Sequence, residues 1–135
     1  IIPLHEFAQM KRDNDILVRV IVKKDQKDFV YLSHRNSKTD FPVLTCAVSV
    51  DETEGWISVG ARPQKAVRMS MTEEVRKKVE QGVCSEEEMK KEAEDISAQI
   101  KTDSNMRAGK EYRSHLAKVL IRRSLERLNA KGGDQ

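Results

Sequence analysis

Alternating apolar and polar positions dominate the first half of the chain and predict β-strands. Segments rich in β-branched residues fall at 15–24 (DILVRVIVKK), 28–33 (DFVYLS), 43–50 (VLTCAVSV) and 55–61 (GWISVGA). Short connections between them, with Gly55 suited to a hairpin, predict a small antiparallel sheet. In the third segment one face is wholly apolar and is therefore the predicted core side: Leu44, Cys46, Val48 and Val50.

In the second half of the chain the period of the apolar positions changes to nearly four, which predicts helices. Ser70 stands three residues before Glu73, a spacing that predicts a capping box at the start of a helix. Val75 and Val79 lie one turn apart on that helix, and Gly82 is placed to end it.

Two further helices follow. Ser85 and Glu88 repeat the capping-box spacing, and a third helix is predicted from about 108 to 129, ended by Gly132 and Gly133. Because strands come first and helices second, the sequence predicts an α+β fold with an antiparallel sheet of three to four strands packed against a three-helix layer. One apolar stripe marks the middle helix: Met89, Ala93, Ile96 and Ile100.

The last helix is rich in basic residues, so its faces decide what it does. Apolar residues share one face: Tyr112, Leu116, Val119 and Leu120, continued by Leu128 and widened by Ile121 and Leu125. Basic residues fall mostly elsewhere: Lys110, Arg113, Lys118, Arg122 and Arg127. This pattern favours an amphipathic helix with a solvated basic side, and contact with phosphate or with a partner is the alternative.

The charge balance argues against a dedicated nucleic-acid binder. The 135 residues include 25 basic and 22 acidic side chains, which are interspersed and leave a net charge of +3. No apolar run approaches the roughly 18 residues of a membrane helix, and the first residues do not have the pattern of a secretory signal. We therefore predict a cytoplasmic protein that binds neither nucleic acid nor membrane.

Candidate catalytic and metal-binding residues are sparse. Cys46 and Cys84 have no motif spacing and are predicted to be reduced and structural. His5, His34 and His115 lie in different segments without a second ligand at metal-binding spacing. The carboxylate-rich run SEEEMKKEAED is typical of a solvated helix face, so the sequence predicts no catalytic residue and no metal site.

Three stretches follow one another in a characteristic order. Residues 29–50 contain an aromatic, a short polar segment, an Arg and then an Asp before an apolar strand. Residues 55–69 contain a strand ending in Gly, then a Pro and a basic-apolar segment. Residues 103–125 contain Asp, Arg, small residues, Tyr-Arg and a Leu-rich helix. With this order, the chain from about 17 to 128 resembles the carboxy-terminal domain of the FAD-binding subunit of molybdenum hydroxylases, the xanthine dehydrogenase and carbon monoxide dehydrogenase family.

The residues before these stretches are similar to the end of the family's FAD-binding domain, where a short Leu-x-x-Phe segment precedes the next strand. The resemblance divides the chain into 1–14, a remnant of that domain or a linker, and 15–135, the carboxy-terminal flavoprotein-type domain. It implies FAD as a cofactor of the full-length subunit. The chain itself carries no Gly-rich phosphate-binding turn, so we expect it to bind no FAD and to be inactive alone.

The resemblance also implies a role and partners. In such enzymes a substrate is oxidised at a molybdenum cofactor, electrons cross iron–sulfur clusters, and the flavin passes them to an acceptor. The implied partners are the preceding FAD-binding domain and the molybdenum-binding and iron–sulfur subunits. The alternative is a stand-alone protein-interaction module without flavin, and nucleic-acid binding through the last helix is a third, weaker hypothesis.

The same resemblance indicates candidate cofactor-binding residues near the edge of the flavin ring. Many relatives have a Lys four residues before the Arg that matches Arg35, and this chain has Tyr31 at that position. Tyr31, Arg35 and Asp40 form the candidate set, with Arg35 implied to supply positive charge near a reduced flavin. The alternative is that Arg35 is a loop arginine paired with Asp40.

Overall fold

Four strands of the computed structural model form one antiparallel sheet whose order in space, β1-β2-β3-β4, is their order along the chain. The structure describes residues 1–11, 14–24 and 27–133. The other positions of the predicted 1–14 and 15–135 segments, namely 12–13, 25–26 and 134–135, lie outside the described residues. The strands are β1 (Asp28–His34), β2 (Leu44–Val50), β3 (Gly55–Gly60) and β4 (Val67–Ser70).

The helices are α1 (Leu4–Phe7), α2 (Glu73–Glu80), α3 (Glu86–Gln99) and α4 (Lys110–Gly132). Helix α4 packs on β1 and β2, and α2 and α3 pack on α4. The predicted α+β fold, with a small antiparallel sheet against a layer of three helices, is confirmed.

The helix-facing side of the sheet is the predicted one. Every second residue of β2 is buried, from Leu44 to Val50, and β3 adds Ile57 and Val59 to the same layer. The strand register places Val48 between Val30 and Ile57, so apolar side chains form rows across the sheet. The predicted stripe of α3 is also buried: Met89, Ala93, Ile96 and Ile100.

Two helix-end predictions are confirmed. At the start of α3 the Ser85 N–H donates to Glu88 Oε2 at 3.0 Å, and the Glu88 N–H donates to Ser85 Oγ at 3.3 Å. After α2, Gly82 has φ +72°, and its N–H donates to Val79 O at 3.2 Å. A Cβ at Gly82 would lie 2.2 Å from the backbone nitrogen of Gly133, so both the backbone conformation and the close approach require glycine.

Two predictions on secondary structure are wrong. Residues 15–24 form no strand, because β-propensity alone does not make one and no neighbouring strand pairs with them in the described chain. Ser70 does not cap α2, because it is the last residue of β4, a strand that the pattern did not predict. Thr72 is the N-cap residue instead, and its N–H and hydroxyl donate to Glu92 at 2.7 and 3.0 Å.

On each predicted face of the last helix, α4, the burial of one residue was predicted wrongly. Its buried residues include the predicted Leu116, Leu120, Ile121, Leu125 and Leu128. Tyr112, predicted to be on the buried face, is 48% exposed, whereas Arg113, predicted with the basic face, is 0% exposed. Arg113 is three and seven residues before Leu116 and Leu120, so it lies on the buried stripe itself. The helix also extends beyond 129, to Gly132.

Candidate functional site

The side of the sheet that faces away from the helices is a candidate binding surface, and we name it the open sheet face. Because strand residues alternate between the two faces, its members follow from the register of the strands. They are Phe29, Tyr31 and Ser33 on β1, Thr45, Ala47 and Ser49 on β2, Trp56, Ser58 and Gly60 on β3, and Arg68 and Ser70 on β4.

Large side chains border the open sheet face, and small ones fill its middle. Phe29 and Tyr31 on β1 are 66% and 55% exposed. Across β2 lies Trp56, and the guanidinium carbon of Arg68 is 3.7 Å from the centroid of the Trp56 ring. Ala47 lies between Tyr31 and Ser58 in the register, so only small side chains separate the aromatic residues of β1 from Trp56 on β3. This shape suits a flat apolar surface or a planar ring.

The predicted site residues Arg35 and Asp40 meet in the connection between β1 and β2. Arg35 Nη1 donates to the backbone oxygen of Asp40 at 2.8 Å, and Arg35 Nε approaches Ser33 Oγ at 3.5 Å. Ser33 lies two residues after Tyr31 on the open sheet face. Arg35 therefore lies at one end of this face, and none of the hydrogen bonds found among the described residues joins Tyr31 to Arg35 or Asp40.

The alternative interpretation of the sequence paired Arg35 with Asp40. The structure shows this contact only through the Asp40 backbone oxygen, and the Asp40 carboxylate binds elsewhere. Asp40 Oδ1 accepts from the Phe41 N–H at 2.7 Å and from Arg107 Nε at 3.4 Å. The Arg107 guanidinium also lies 5.2 Å from the centroid of the Phe41 ring. Arg107 is 67 residues from Asp40 in sequence, and no local spacing indicates this pairing.

Arg113, buried on α4, donates four hydrogen bonds to residues at the end of the β1–β2 connection and before α4. Its Nε donates to Val43 O at 3.0 Å, its Nη1 to Asp103 O and Ala108 O at 2.7 Å each, and its Nη2 to Asn105 Oδ1 at 2.6 Å. Burial lowers the pKa of Arg113, although a guanidinium remains charged at any physiological pH. Arg113 therefore satisfies three backbone carbonyls from inside the domain. Its position on the apolar stripe was the signal in the sequence that it would be buried.

At the opposite end of the sheet, Lys27 forms ion pairs with Asp51 and Glu54. Lys27 Nζ lies 2.7 Å from Asp51 Oδ2, and Asp51 Oδ1 accepts from the N–H groups of Thr53 and Glu54 at 2.8 and 2.7 Å. The Lys27 ammonium and these backbone donors hold the pKa of the Asp51 carboxyl well below its ordinary value. This arrangement closes the β2–β3 turn, so it is a structural feature of the hairpin.

The thiols and histidines do not form a reactive centre. Burial raises the pKa of Cys46 to about 12 and that of Cys84 to about 11, so both thiols stay protonated at neutral pH. His34 Nε2 lies 3.2 Å from Tyr112 Oη at the surface. Within residues 1–11, 14–24 and 27–133, no three His, Cys, Asp or Glu side chains are grouped closely enough to hold a metal ion. In the same ranges, no helix has the length and apolarity needed to cross a membrane.

Comparison with known proteins gives a family and a fold. Residues 29–128 match the family model described as "CO dehydrogenase flavoprotein C-terminal domain". This range contains the open sheet face, the β1–β2 connection and most of α4. A comparison with curated proteins finds no match.

Solved structures of similar fold come from two kinds of oxidoreductase. Quinoline 2-oxidoreductase from Pseudomonas putida 86 is 14% identical, with a TM-score of 0.63 over 81% of this chain and 39% of that one. Carbon monoxide dehydrogenase from Hydrogenophaga pseudoflava, in a form lacking the Mo-pyranopterin moiety, is 16% identical, with a TM-score of 0.62 over 82% and 39%. The cyanide-inactivated Cu,Mo-CO dehydrogenase is 19% identical, with a TM-score of 0.59 over 81% and 39%. At these identities the likeness shows the fold, and the chain spans 39% of the length of each.

Proposed function

The chain belongs to the family of CO dehydrogenase flavoprotein C-terminal domains, and from this premise we propose that it is the carboxy-terminal domain of the FAD-binding, electron-transfer subunit of a molybdenum hydroxylase. The observation that carries the proposal is the match over residues 29–128. Two solved structures of the same fold support it, because they are oxidoreductases whose names include molybdenum. We also propose that this hydroxylase is xanthine dehydrogenase-like and that it is cytoplasmic.

The open sheet face would be the side that covers the flavin-binding part of the subunit. Phe29 and Tyr31 lie there, and each remains more than half exposed. Exposed aromatics around a flat, small-residue floor are typical of a surface that packs against another domain. The matched structures are longer than this chain, which spans 39% of each, so the covering part would come from the rest of the subunit.

The residues fit a contact with the edge of a flavin ring, and they do not fit the binding of a whole FAD. No Gly-rich turn is present to hold the pyrophosphate, so the dinucleotide would be bound mainly by the flavin-binding domain. Arg35 uses Nε and Nη1 in the loop, which leaves Nη2 without a hydrogen bond among the described residues. The flavin, when bound, supplies the electron-transfer chemistry, and the domain would contribute position and charge.

Each of the three candidate residues would then have a distinct role. Arg35 would place a positive charge where a reduced flavin gains negative charge, which stabilises the reduced form. Asp40 would hold Arg35 through its backbone oxygen, and its carboxylate would connect the loop to Arg107. Tyr31, in the position of the family's lysine, would offer the face of its ring in place of a second cation.

The partners proposed for the subunit are the preceding FAD-binding domain and the molybdenum-binding and iron–sulfur subunits. The basic side of α4 is available for a subunit contact, because Arg122, Arg123 and Arg127 are exposed. Alone, the domain is proposed to be inactive. A protein-interaction module without flavin would use the same open sheet face, and flavin content separates the two functions.

The proposal is tested with Arg35→Ala in the full-length subunit, against Lys38→Ala as a matched control on the same exposed loop. Removing the Arg35 charge should make the flavin midpoint potential more negative by roughly 10–30 mV, since about 30 mV corresponds to 1.4 kcal/mol for two electrons. Lys38→Ala should change it less. Equal potentials in wild type and Arg35→Ala would refute a role for Arg35 near the flavin.

A further inference from the structure

Two loops meet at the end of the sheet where Arg35 lies. One is the β1–β2 connection (residues 35–43), and the other is the α3–α4 loop (residues 100–109). Asn36 Nδ2 donates to Arg107 O at 3.4 Å, and Arg107 Nε donates to Asp40 Oδ1 at 3.4 Å. The Arg107 guanidinium carbon also lies 5.2 Å from the centroid of the Phe41 ring. Arg107 takes part in each of these contacts, so it is a residue through which one loop holds the other.

Arg107 stands on a firmly held turn. Asn105 and Ala108 exchange two backbone hydrogen bonds, at 3.1 and 3.2 Å, which close the turn that contains Arg107. Asn105 Oδ1 accepts from the Arg107 N–H at 2.9 Å and from Arg113 Nη2 at 2.6 Å. Arg113 Nη1 also donates to Ala108 O at 2.7 Å. Since Arg113 is fully buried on α4, the turn that carries Arg107 is fixed to the core of the domain.

Arg35 is held less firmly than Arg107. Its Nη1 donates to the Asp40 backbone oxygen at 2.8 Å, but its approach to Ser33 Oγ, at 3.5 Å, is at the outer limit of a hydrogen bond. The position of Arg35 therefore depends on Asp40. The Asp40 side chain is held in turn by Arg107 and by the Phe41 N–H.

The Asp40 carboxylate is also a competing partner for the charge of Arg35. The two residues are five positions apart in one loop and are already in contact through the Asp40 backbone oxygen. A carboxylate and a guanidinium attract each other and favour a bidentate pair. Arg107 binds this carboxylate instead, in a pair whose side chains are only 29% and 31% exposed. The Arg35 guanidinium is therefore left with its positive charge uncompensated by Asp40.

We propose that Arg107 is a positioning residue for the flavin edge, because it occupies the Asp40 carboxylate and thereby leaves the positive charge of Arg35 available to a reduced flavin. The role of Arg107 rests on the proposed function, in which Arg35 lies near the flavin. Without Arg107, the Asp40 carboxylate would turn to Arg35, and the resulting ion pair would present little net charge to the flavin. Arg107 thus acts through Arg35 and does not need to touch the flavin.

The test is a double-mutant cycle in the full-length subunit, measured as the midpoint potential of the flavin. Arg107→Ala should make the potential more negative by roughly half or more of the shift that Arg35→Ala causes. In the Arg35→Ala background, Arg107→Ala should cause no further shift, because the charge that it affects is already gone. An unchanged potential in Arg107→Ala would overturn the proposal. Additive shifts would also overturn it, since Arg107 would then act on the flavin by its own charge.

Two more variants distinguish this role from a merely structural one. Arg107→Lys keeps a cation for the Asp40 carboxylate, so its potential should stay close to that of the wild type. Asp40→Asn should raise the potential more in the Arg107→Ala background than in the wild type, because only there does it remove an ion pair with Arg35. Equal shifts in the two backgrounds would contradict the proposal.

Lys77→Ala is the matched control for the loss of a basic partner. Lys77 Nζ lies 2.7 Å from Glu73 Oε1 on α2, where both side chains are exposed. The same change of charge at this position should leave the flavin potential at its wild-type value. A shift as large as that of Arg107→Ala would show that the potential responds to any surface charge, and the proposal would fall.

Hydrogen–deuterium exchange separates failure of this role from failure of the proposed function. The amides of residues 35–42 report on the β1–β2 connection with or without flavin, and Arg107→Ala should accelerate their exchange roughly tenfold. A subunit that contains FAD, in which Arg107→Ala changes neither potential nor exchange, would refute the role of Arg107 and keep the proposed function. A subunit without FAD would refute the proposed function together with the flavin role of Arg107, and faster exchange would then leave Arg107 as a structural contact alone.

Discussion

Arg113→Ala is expected to be among the most destabilising single changes in the domain, although arginine is usually a surface residue. The side chain is 0% exposed and donates four hydrogen bonds to three backbone carbonyls and one side-chain amide. These acceptors come from the residue just before β2 and from the segment before α4. Loss of the guanidinium would therefore loosen the connection between the sheet and its longest helix.

The loss of stability depends on which of the four acceptors still has a hydrogen-bond donor after the arginine is removed. Ala108 O still accepts from the Asn105 N–H at 3.1 Å, and Asp103 is exposed, so water can replace the arginine at both. Val43 is fully buried, and leaving its carbonyl unsatisfied costs about 1–3 kcal/mol. Truncating a buried large side chain adds about 2–5 kcal/mol, and removing a desolvated charge offsets part of the total. We expect Arg113→Ala to lower the free energy of unfolding by about 3–6 kcal/mol.

Two variants and one control separate these contributions. Arg113→Met keeps most of the volume and removes the donors, so it should lower the free energy of unfolding by about 1–3 kcal/mol. Arg122→Ala is the control, because Arg122 is exposed and pairs with Glu126 at 3.2 Å on the helix surface, and it should cost less than about 1 kcal/mol. Urea unfolding followed by circular dichroism measures all of them. If Arg113→Ala proves no more destabilising than Arg122→Ala, the buried hydrogen bonds of Arg113 do not hold the sheet to α4.

Two further predictions concern the helices. Leu116→Ala should lower the free energy of unfolding by about 2–5 kcal/mol, whereas the double change Arg122→Ala, Arg127→Ala should cost under roughly 1 kcal/mol; the reverse order in urea titrations would refute the assignment of the two faces of α4. Lys78, helped by Ser85, lowers the pKa of Glu88 from 4.5 to about 2. The ionised Glu88 carboxylate therefore contributes stability that is present above pH 4.5 and is lost as the pH falls towards 2. The free energy of unfolding of Glu88→Gln should depend less on pH in this window than that of the wild type. Unfolding of both proteins at pH 3 and pH 7 measures the difference.

Elements with local signals could be predicted from the sequence. The alternation of buried and partly exposed residues in β2 and the capping box between Ser85 and Glu88 each depend on residues within a few positions of one another. Both predictions are confirmed. Residues 15–24 have as much β-branched character as β2 but form no strand, because a strand also needs a neighbour, which local sequence does not encode. Strand β4 has four residues and lies at the edge of the sheet, so its pattern was too short to detect.

The candidate site was predictable only in part, for the same reason. Arg35 and Asp40 are five residues apart, and their contact lies within one loop. The pairing of Asp40 with Arg107 depends on how α4 approaches the sheet, which no local pattern specifies. The two faces of β2, by contrast, were assigned correctly from the sequence, because every residue on the helix-facing side is apolar.

The flavin content of the purified full-length subunit is the decisive measurement for the proposed flavoprotein function. The full-length protein and residues 1–135 alone are incubated with FAD, separated from free FAD by gel filtration, and measured by absorbance in the flavin bands. We expect stoichiometric FAD on the full-length subunit and none on residues 1–135, because the sequence contains no Gly-rich phosphate-binding turn. A full-length protein without flavin, or stoichiometric FAD on residues 1–135, would contradict this expectation.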